Sequence, residues 1–173
     1  FAAQATFFHT DFRDLLITEN ESTGAKNENV GEATSYGLEL AAQFDPATRA
    51  DADFKTPLYA SLTYTEAYIQ GNVSSKGGLF QNAQDGNPIP YIPAVQFAVG
   101  AGIEYKRFGF NLEARYKDDV YTTAGEEVST TDSRIGKTDK QFIVDAAAYY
   151  QVNDNLRLLA NGKNILGEEY IAS

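Results

Sequence analysis

The sequence has 173 residues with 24 acidic and 14 basic side chains, a net charge of −10, and no cysteine, methionine or tryptophan. This length allows one domain with a core. The lack of cysteine excludes disulfides and cysteine-bound metals, and the acidic balance argues against a nucleic-acid partner, which needs a basic surface. The sequence has no run of about 18 apolar residues, so no transmembrane helix is predicted. Strands in a membrane stay possible, since only their alternate residues face lipid.

Seven segments show the two-residue period of β-strands. The first covers Ala3 to Ile17, slips in phase near His9 and Asp11, and precedes a polar stretch that is predicted to be a long loop. The later segments are Ser35 to Phe44, Leu58 to Ile69, the two halves of Val95 to Tyr116, Phe142 to Gln151, and Leu156 to Asn164.

The connections between these segments alternate between long and short. GNVSSKGGLFQNAQDGNPIPYIP and the stretch from Asp118 to Lys140 are long and polar, whereas KRFG and VNDN are tight turns. In a meander of antiparallel strands, all the long connections then lie at one end. Structureless loops of about twenty residues are uncommon in compact soluble domains, but barrels of the outer membrane combine long outer loops with short periplasmic turns.

The predicted strands have an apolar face and a polar face. In the five strands with clean alternation, the apolar face is predicted to carry no charge, and the charges fall on the other face, as with Glu39, Glu104, Glu113, Arg115, Lys117, Asp145 and Arg157. Aromatic residues at the strand ends suit the girdles of a membrane barrel; these are Tyr64, Tyr105, Phe108, Tyr116, Phe142 and Tyr150. The pattern predicts an all-β, antiparallel up-and-down transmembrane β-barrel segment. Because an open sheet leaves unpaired backbone groups in lipid, we expect more chain to complete it.

Four stretches resemble one family, the TonB-dependent outer-membrane receptors. NVGEATSYGLEL (Asn29 to Leu40) is similar to that family's N-x-G-x-A-x-x-x-G-x-E stretch, and Pro57 to Ala67 is similar to its next strand. IPYIPAVQFAVGAGIEYKRFGFNLEARY resembles a proline-led hairpin of the family, and Phe142 to Ser173 resembles its penultimate hairpin with an N-L-F-D-x-x-Y ending. Gly167 stands where that ending usually has aspartate.

The resemblance implies that residues 1–173 form the C-terminal part of a receptor barrel, about seven strands of 22, without the plug domain, the TonB box or the final strand. It implies a location in the Gram-negative outer membrane and active uptake of a ferric chelate, with a layout like the ferric-citrate and ferric-siderophore receptors. The implied partners are the ferric siderophore, the TonB complex through the absent N-terminal region, the receptor's own plug domain and the lipid bilayer. No cofactor, metal or enzymatic activity is expected.

The candidate substrate-binding residues are basic or lie at loop tips. We expect Arg115 and Lys117 to point into the lumen near its outer end, with Arg134, Lys137 and Lys140 in the following loop. Such side chains would attract an anionic chelate; alternatively, they pair with nearby acids or hydrate the lumen wall. Tyr121 and Gln81, the latter in the tip Phe80 to Asn82, could contact the ligand or simply pack within their loops.

Other polar residues give weaker signals. His9 is the only histidine and fits a girdle better than a metal site. Asp45, Asp51 and Asp53 lack the glycine and terminal glutamate of a calcium loop. The acidic pairs Asp118–Asp119 and Glu126–Glu127 have no accompanying base or nucleophile, so catalysis is not predicted. Arg157 could bond the plug or form an ion pair with Asp145.

Three other functions share parts of this pattern. A passive porin-like channel has the same strands but no plug or TonB box. A soluble all-β binding module would bury the apolar face and need no detergent. A polymer-degrading or autotransporter-type barrel would need catalytic residues in the lumen, and the sequence offers none.

Overall fold

The computed structural model describes residues 1–14, 16–21, 24–29, 31–71, 73, 78–80, 82–126 and 135–169. Its strands are β1 (Ala2–Phe12), β2 (Leu16–Glu21), β3 (Gly24–Asn29), β4 (Glu32–Phe44), β5 (Phe54–Lys55), β6 (Leu58–Gln70), β7 (Val95–Tyr105), β8 (Phe108–Lys117), β9 (Gln141–Asn153) and β10 (Leu156–Gly162). A four-residue helix, α1 (Pro46–Arg49), and a 3₁₀ turn (Gly78–Phe80) complete the described elements. Within these ranges no helix is both long and apolar enough to span a membrane.

The main sheet is an antiparallel meander. Its strands follow the order β1–β4–β6–β7–β8–β9–β10, and the short β5 pairs with the end of β7. The predicted seven-strand meander is therefore confirmed. Each strand lies beside its predecessor in this path, so the long connections gather at one end of the sheet and the tight turns at the other.

The polar stretch after the first strand differs from its prediction as a loop. β1 ends at Phe12 rather than Ile17, and β2 and β3 pair with each other from Leu16↔Asn29 to Glu21↔Gly24. The prediction was wrong because it required an apolar face for a strand. Cross-strand bonds satisfy backbone groups whatever the side chains are.

The strand register places the apolar residues in continuous rows across one face. One row joins Leu40, Leu62 and Phe97, and the next joins Ala60, Val99, Ala114 and Val144. Leu40, Val99 and Leu112 keep 39%, 44% and 40% of their surface exposed. A second packed layer would bury these side chains, so among the described residues the apolar face of the main sheet is bare.

The predicted girdle residues all lie on this apolar face, as the register shows. Tyr64, Tyr116 and Phe142 lie near the long-loop end, and Tyr105, Phe108 and Tyr150 form a row at the turn end. His9 also lies at the long-loop end, where its ring stacks on Tyr36 with 6.4 Å between centroids. The two aromatic zones are separated by aliphatic residues, as in a membrane-spanning sheet.

Glu66 contradicts the prediction that the apolar face carries no charge. It lies opposite Tyr36 on this face, and the hydroxyls of Tyr36 and Tyr64 both donate hydrogen bonds to its carboxylate. The alternation of apolar and polar residues holds from Leu58 to Tyr64, and Glu66 is the next residue on the apolar face. In the aromatic zone the tyrosine hydroxyls act as donors to the Glu66 carboxylate, so a charge at this position is compatible with the membrane interface.

The connection between β4 and β6 is organised by Asp45. Its carboxylate accepts hydrogen bonds from the backbone N–H groups of Ala47, Thr48 and Thr56, at 3.1, 3.2 and 3.0 Å. It thus caps α1 and ties both ends of the connection together. These bonds, led by that from Thr56, lower the pKa of Asp45 from its ordinary 3.8 to about 2.

This cap predicts an acid-sensitive turn. Because the pKa is lowered on folding, the stabilisation is present above the ordinary carboxylate pKa and is lost as the pH falls through about 2. Asp45→Ala removes the acceptor of these three bonds and is expected to accelerate amide hydrogen exchange at Thr56 and Thr48 at pH 6, while the native turn stays protected at pH 4. Equal protection in both proteins at pH 6 would contradict the capping role.

Candidate ligand-facing wall and loop cap

The second face of the sheet carries a row of polar side chains, here called the polar row. The register aligns Glu39, Thr63, Gln96, Lys117 and Gln141 on five neighbouring strands, β4, β6, β7, β8 and β9. These positions alternate with those of the apolar face along each strand. Lys117 therefore lies on the polar face near the loop end, where it was predicted.

A shallow hollow of about 350 Å³ lies at this part of the wall. Its lining combines hydroxyl, amide and basic side chains with a few apolar ones; the residues are Ser61, Thr63, Gln96, Phe97, Ala98, Arg115, Tyr116, Lys117, Gln141 and Ile143. Hydroxyls and amides both donate and accept hydrogen bonds. The hollow thus offers hydrogen-bond donors and acceptors to a polar solute, beside the basic side chains of Arg115 and Lys117.

Arg115 lies at the centre of an ionic network on the polar face. Its guanidinium donates to the carboxylate of Asp145, and its Nε lies 3.4 Å from Glu113 Oε1. The Tyr59 hydroxyl donates to Glu113 at 2.6 Å, and the backbone N–H of Asn164 donates to Asp145 at 2.8 Å. The network connects β6, β8 and β9 with the segment that follows β10, so Arg115 also fixes the shape of the wall.

Arg157 does not join this network. Its guanidinium lies over the ring of Tyr149, 3.7 Å from the centroid, while Asp145 is already bonded to Arg115. The alternative of an Arg157–Asp145 ion pair was therefore wrong. The nearby aromatic ring offers a cation–π contact instead.

The loop between β8 and β9 has a closed stem. The backbone N–H groups of Thr138 and Thr122 donate to Val120 and Gly136, at 2.8 and 2.9 Å. Lys137 Nζ lies 2.5 Å from Asp119 Oδ2 and 4.9 Å from the centre of the Tyr121 ring. The hydrogen bond to Asp119 raises the pKa of Lys137 above its ordinary value, so the lysine stays charged.

Lys140 forms a second contact in this stem. Its Nζ lies 3.2 Å from Asp118 Oδ1, and this hydrogen bond raises the pKa of Lys140. Partial burial raises the pKa of Asp118, but bonds from Lys140, the Asp119 backbone and Tyr116 outweigh it and leave the pKa lowered. The acidic pair Asp118–Asp119 thus holds the loop closed.

The two long loops pack against each other to form what we call the loop cap, residues 78–80, 82–94, 118–126 and 135–140. Its small core joins Ile69, Phe80, Ala83 and Ala124, and Ala124 has no exposed surface. The backbone N–H of Ala124 donates to Leu79 at 2.8 Å, and that of Tyr91 donates to Tyr121 at 3.0 Å. The loops predicted to be structureless therefore share one hydrophobic core.

This shared core predicts that damage to one loop releases both. Ala124→Glu would bury a charge without a partner, which proteins tolerate poorly. We expect protease cleavage to rise in residues 82–94 as well as in 118–126, whereas the exposed change Gln84→Glu leaves both protected. Cleavage confined to 118–126 would show that the loops are independent.

The structure locates four of the six candidate substrate-binding residues. Arg115 and Lys117 lie on the polar face, and Tyr121 and Lys137 contact each other in the loop stem. Gln81 and Arg134 lie outside the described residues. Arg115, Lys137 and Lys140 each form an ion pair with a nearby acid, which is the alternative considered for the basic residues. That any of them binds a substrate stays a prediction.

Glu39, Tyr59, Glu113 and Asp145 are polar-face residues that the candidate set omitted. Their strand parity was readable from the sequence, but the contacts that join Tyr59, Glu113 and Asp145 through Arg115 depend on register between strands distant in sequence. In the described part of the chain, no group of three or more His, Asp or Glu side chains could hold a metal ion.

Comparison with known proteins agrees with this geometry. The family model described as TonB dependent receptor-like, beta-barrel matches residues 1–165. No curated protein matches the chain.

Solved structures share the fold at low sequence identity. The ferric citrate transporter FecA, in its unliganded form, has 21% identity and a TM-score of 0.73, over 97% of this chain and 24% of its own. The siderophore receptor PiuA from Acinetobacter baumannii has 21% identity and a TM-score of 0.67, over 97% and 22%. The copper transporter OprC has 19% sequence identity and a TM-score of 0.65, and the match covers 98% of this chain and 23% of OprC.

The chain thus spans about a quarter of the length of these solved chains. At 19–21% sequence identity, the similarity to these structures shows the fold alone. The family to which the chain belongs is shown by the family model. The sheet with a bare apolar face is a segment of this family's β-barrel. This chain belongs to the TonB dependent receptor-like, beta-barrel family.

Proposed function

We propose that the chain is the C-terminal barrel portion of a receptor that takes up a ferric chelate across the Gram-negative outer membrane by TonB-energised gating. The observation that carries the proposal is the division of the sheet into a bare apolar face and a hydrogen-bonding face beneath a packed loop cap. The apolar face would contact lipid, and the polar face would line the lumen. The partners would be a siderophore-type chelate, the plug domain and the TonB complex.

The candidate substrate-binding residues fit this function as part of the mouth. Arg115 and Lys117 border the hollow, and Tyr121 and Lys137 lie in the stem of the loop above it. Gln81 and Arg134 are proposed as ligand contacts from the sequence alone. The wall performs no covalent chemistry in this proposal, because its charged groups stabilise the barrel or bind the chelate.

The test is uptake by the intact receptor. Cells that express the full-length receptor containing this chain are given radioactive ferric chelates under iron starvation, with and without collapse of the proton-motive force. We expect saturable uptake that stops when the energy supply or TonB is removed. Uptake that persists at an unchanged rate would instead indicate the passive porin-like channel, and a receptor that stays soluble without detergent would indicate a soluble binding module.

A further inference from the structure

We infer that the chelate accepted at this wall is neutral or cationic rather than polyanionic. The inference rests on the proposed function, since it names the charge of the solute for the same site. Its basis is the state of the basic side chains, which the sequence alone suggested as attractors of an anion. In the structure three of these groups, Arg115, Lys137 and Lys140, are already paired with carboxylates.

Among the described residues, Arg115 is the one arginine that borders the hollow, and its charge is compensated. Glu113 Oε1 lies 3.4 Å from its Nε, and Asp145 accepts a hydrogen bond from its guanidinium. Two carboxylates beside one guanidinium leave a local excess of negative charge. Arg115 can still donate unused N–H groups to a neutral oxygen, because guanidinium has five donors.

In the loop stem above the hollow, the basic side chains are also paired with carboxylates. Lys137 lies 2.5 Å from Asp119, and Lys140 lies 3.2 Å from Asp118 and 3.7 Å from Asp119. Two lysines thus face two aspartates. This part of the mouth therefore has little net positive charge for an approaching anion.

Glu39 supplies uncompensated negative charge on the polar row. It is exposed, and no salt bridge joins it to another described residue. Lys117 shares the row but lies three strands away, roughly 14 Å at the usual strand spacing. At that separation, solvent and salt screen most of the attraction between the two groups.

The side chains between these two charges are neutral. Thr63 and Gln96 lie between Glu39 and Lys117 on the row, and Ser61 and Gln141 also line the hollow. Hydroxyls and amides can bond the oxygens of an uncharged chelate. A polyanion would be repelled by the carboxylates just outside this lining, Glu39 on the same row and Glu113 and Asp145 beside Arg115. A neutral chelate such as an iron trihydroxamate fits this lining, and an iron tris-catecholate does not.

The direct test compares these two chelates on the full-length receptor in detergent. At low salt, the neutral ferric trihydroxamate is expected to bind at least about tenfold more tightly than the polyanionic ferric tris-catecholate. Added salt should narrow the difference, because it screens repulsion of the polyanion. Tighter binding of the polyanion, weakened by salt, would overturn the inference.

A charge reversal tests the role of Glu39. Glu39→Lys should raise affinity for the polyanionic chelate by about tenfold and leave the neutral chelate within twofold. The matched control is Glu104→Lys, the same change on the same face at the turn end, where Glu104 lies 3.8 Å from Lys55. The control is expected to leave both affinities unchanged.

The outcomes separate this inference from the proposed function. If the polyanion binds more tightly and Glu39→Lys changes nothing, the charge inference is wrong and chelate uptake stands. If chelates of neither charge bind, the proposed function fails and this inference fails with it. If Glu39→Lys and Glu104→Lys raised the affinity for the polyanionic chelate equally, the effect would come from the overall charge of the receptor. That result would also overturn the inference that the wall around the hollow selects the chelate by charge.

Discussion

Arginine at Ala146 is expected to destabilise the membrane-inserted receptor, whereas arginine at the adjacent Ala147 is not. Ala146 lies on the apolar face of β9, midway between Phe142 and Tyr150 of the two aromatic zones. A charged side chain at the middle of the bilayer costs about 2–4 kcal/mol in a barrel. That is a large share of the stability of a typical domain.

Ala147 is a close control because the same change is made one residue away. Its side chain faces the opposite side of the sheet, beside Asn111 and Asn161, and borders a hollow of about 130 Å³. The measurement is urea unfolding of each full-length variant refolded into lipid vesicles. Equal loss of stability in both variants would mean that both faces are buried, and the membrane assignment would fall.

Gly37→Ala is expected to destabilise the pairing of β4 and β6 more than Gly100→Ala destabilises its own strand pair. A Cβ at Gly37 would lie 2.1 Å from the backbone oxygen of Tyr64, which cannot move without shifting the strand. Phe8 closes the same space, with its Cζ at 2.6 Å. Such overpacking costs about 1–3 kcal/mol.

Gly100→Ala is the informative comparison, because a Cβ there meets only a side chain. The ring of Tyr59 would lie 2.0 Å away, but it can rotate aside at the cost of its hydrogen bond to Glu113. In the same unfolding assay, we expect the smaller loss for Gly100→Ala and almost no further loss when Tyr59→Ala is added. A larger loss at Gly100 than at Gly37 would contradict this account of the glycines.

The strands were predictable because a sheet exposed to two environments repeats every two residues. Val95 to Tyr105 alternates without a break, and its predicted boundaries coincide with β7. The register could then be guessed from neighbouring apolar faces. The hairpin of β2 and β3 has no such alternation, so its backbone pairing left no trace in the pattern of side chains.

The candidate site was less predictable because its contacts are long-range. Arg115 and Lys117 were placed on the correct face by strand parity alone. Their charge balance depends on Asp145, which is 30 residues from Arg115 in the sequence, and on the antiparallel register that brings them together. Likewise, the contact of Lys137 with Asp119 requires the loop to fold back on itself.

The loop cap depends on contacts of the same kind. Its core residues Phe80 and Ala124 lie in separate loops, and each loop alone has few apolar residues. A polar composition therefore suggested two structureless loops. Only the arrangement of the strands brings the loops close enough to share a core.

The most direct test of the central claim is the lipid exposure of alternate residues along β7. This chain has no cysteine, so single cysteines are introduced at Gln96, Phe97, Ala98, Val99 and Ala101 and labelled with nitroxide, after any cysteine elsewhere in the receptor has been replaced by serine. In the full-length receptor in lipid vesicles, oxygen dissolved in the bilayer should relax the labels at 97, 99 and 101 strongly and those at 96 and 98 weakly. Uniformly low oxygen access, or the reverse alternation, would show that the apolar face does not contact lipid.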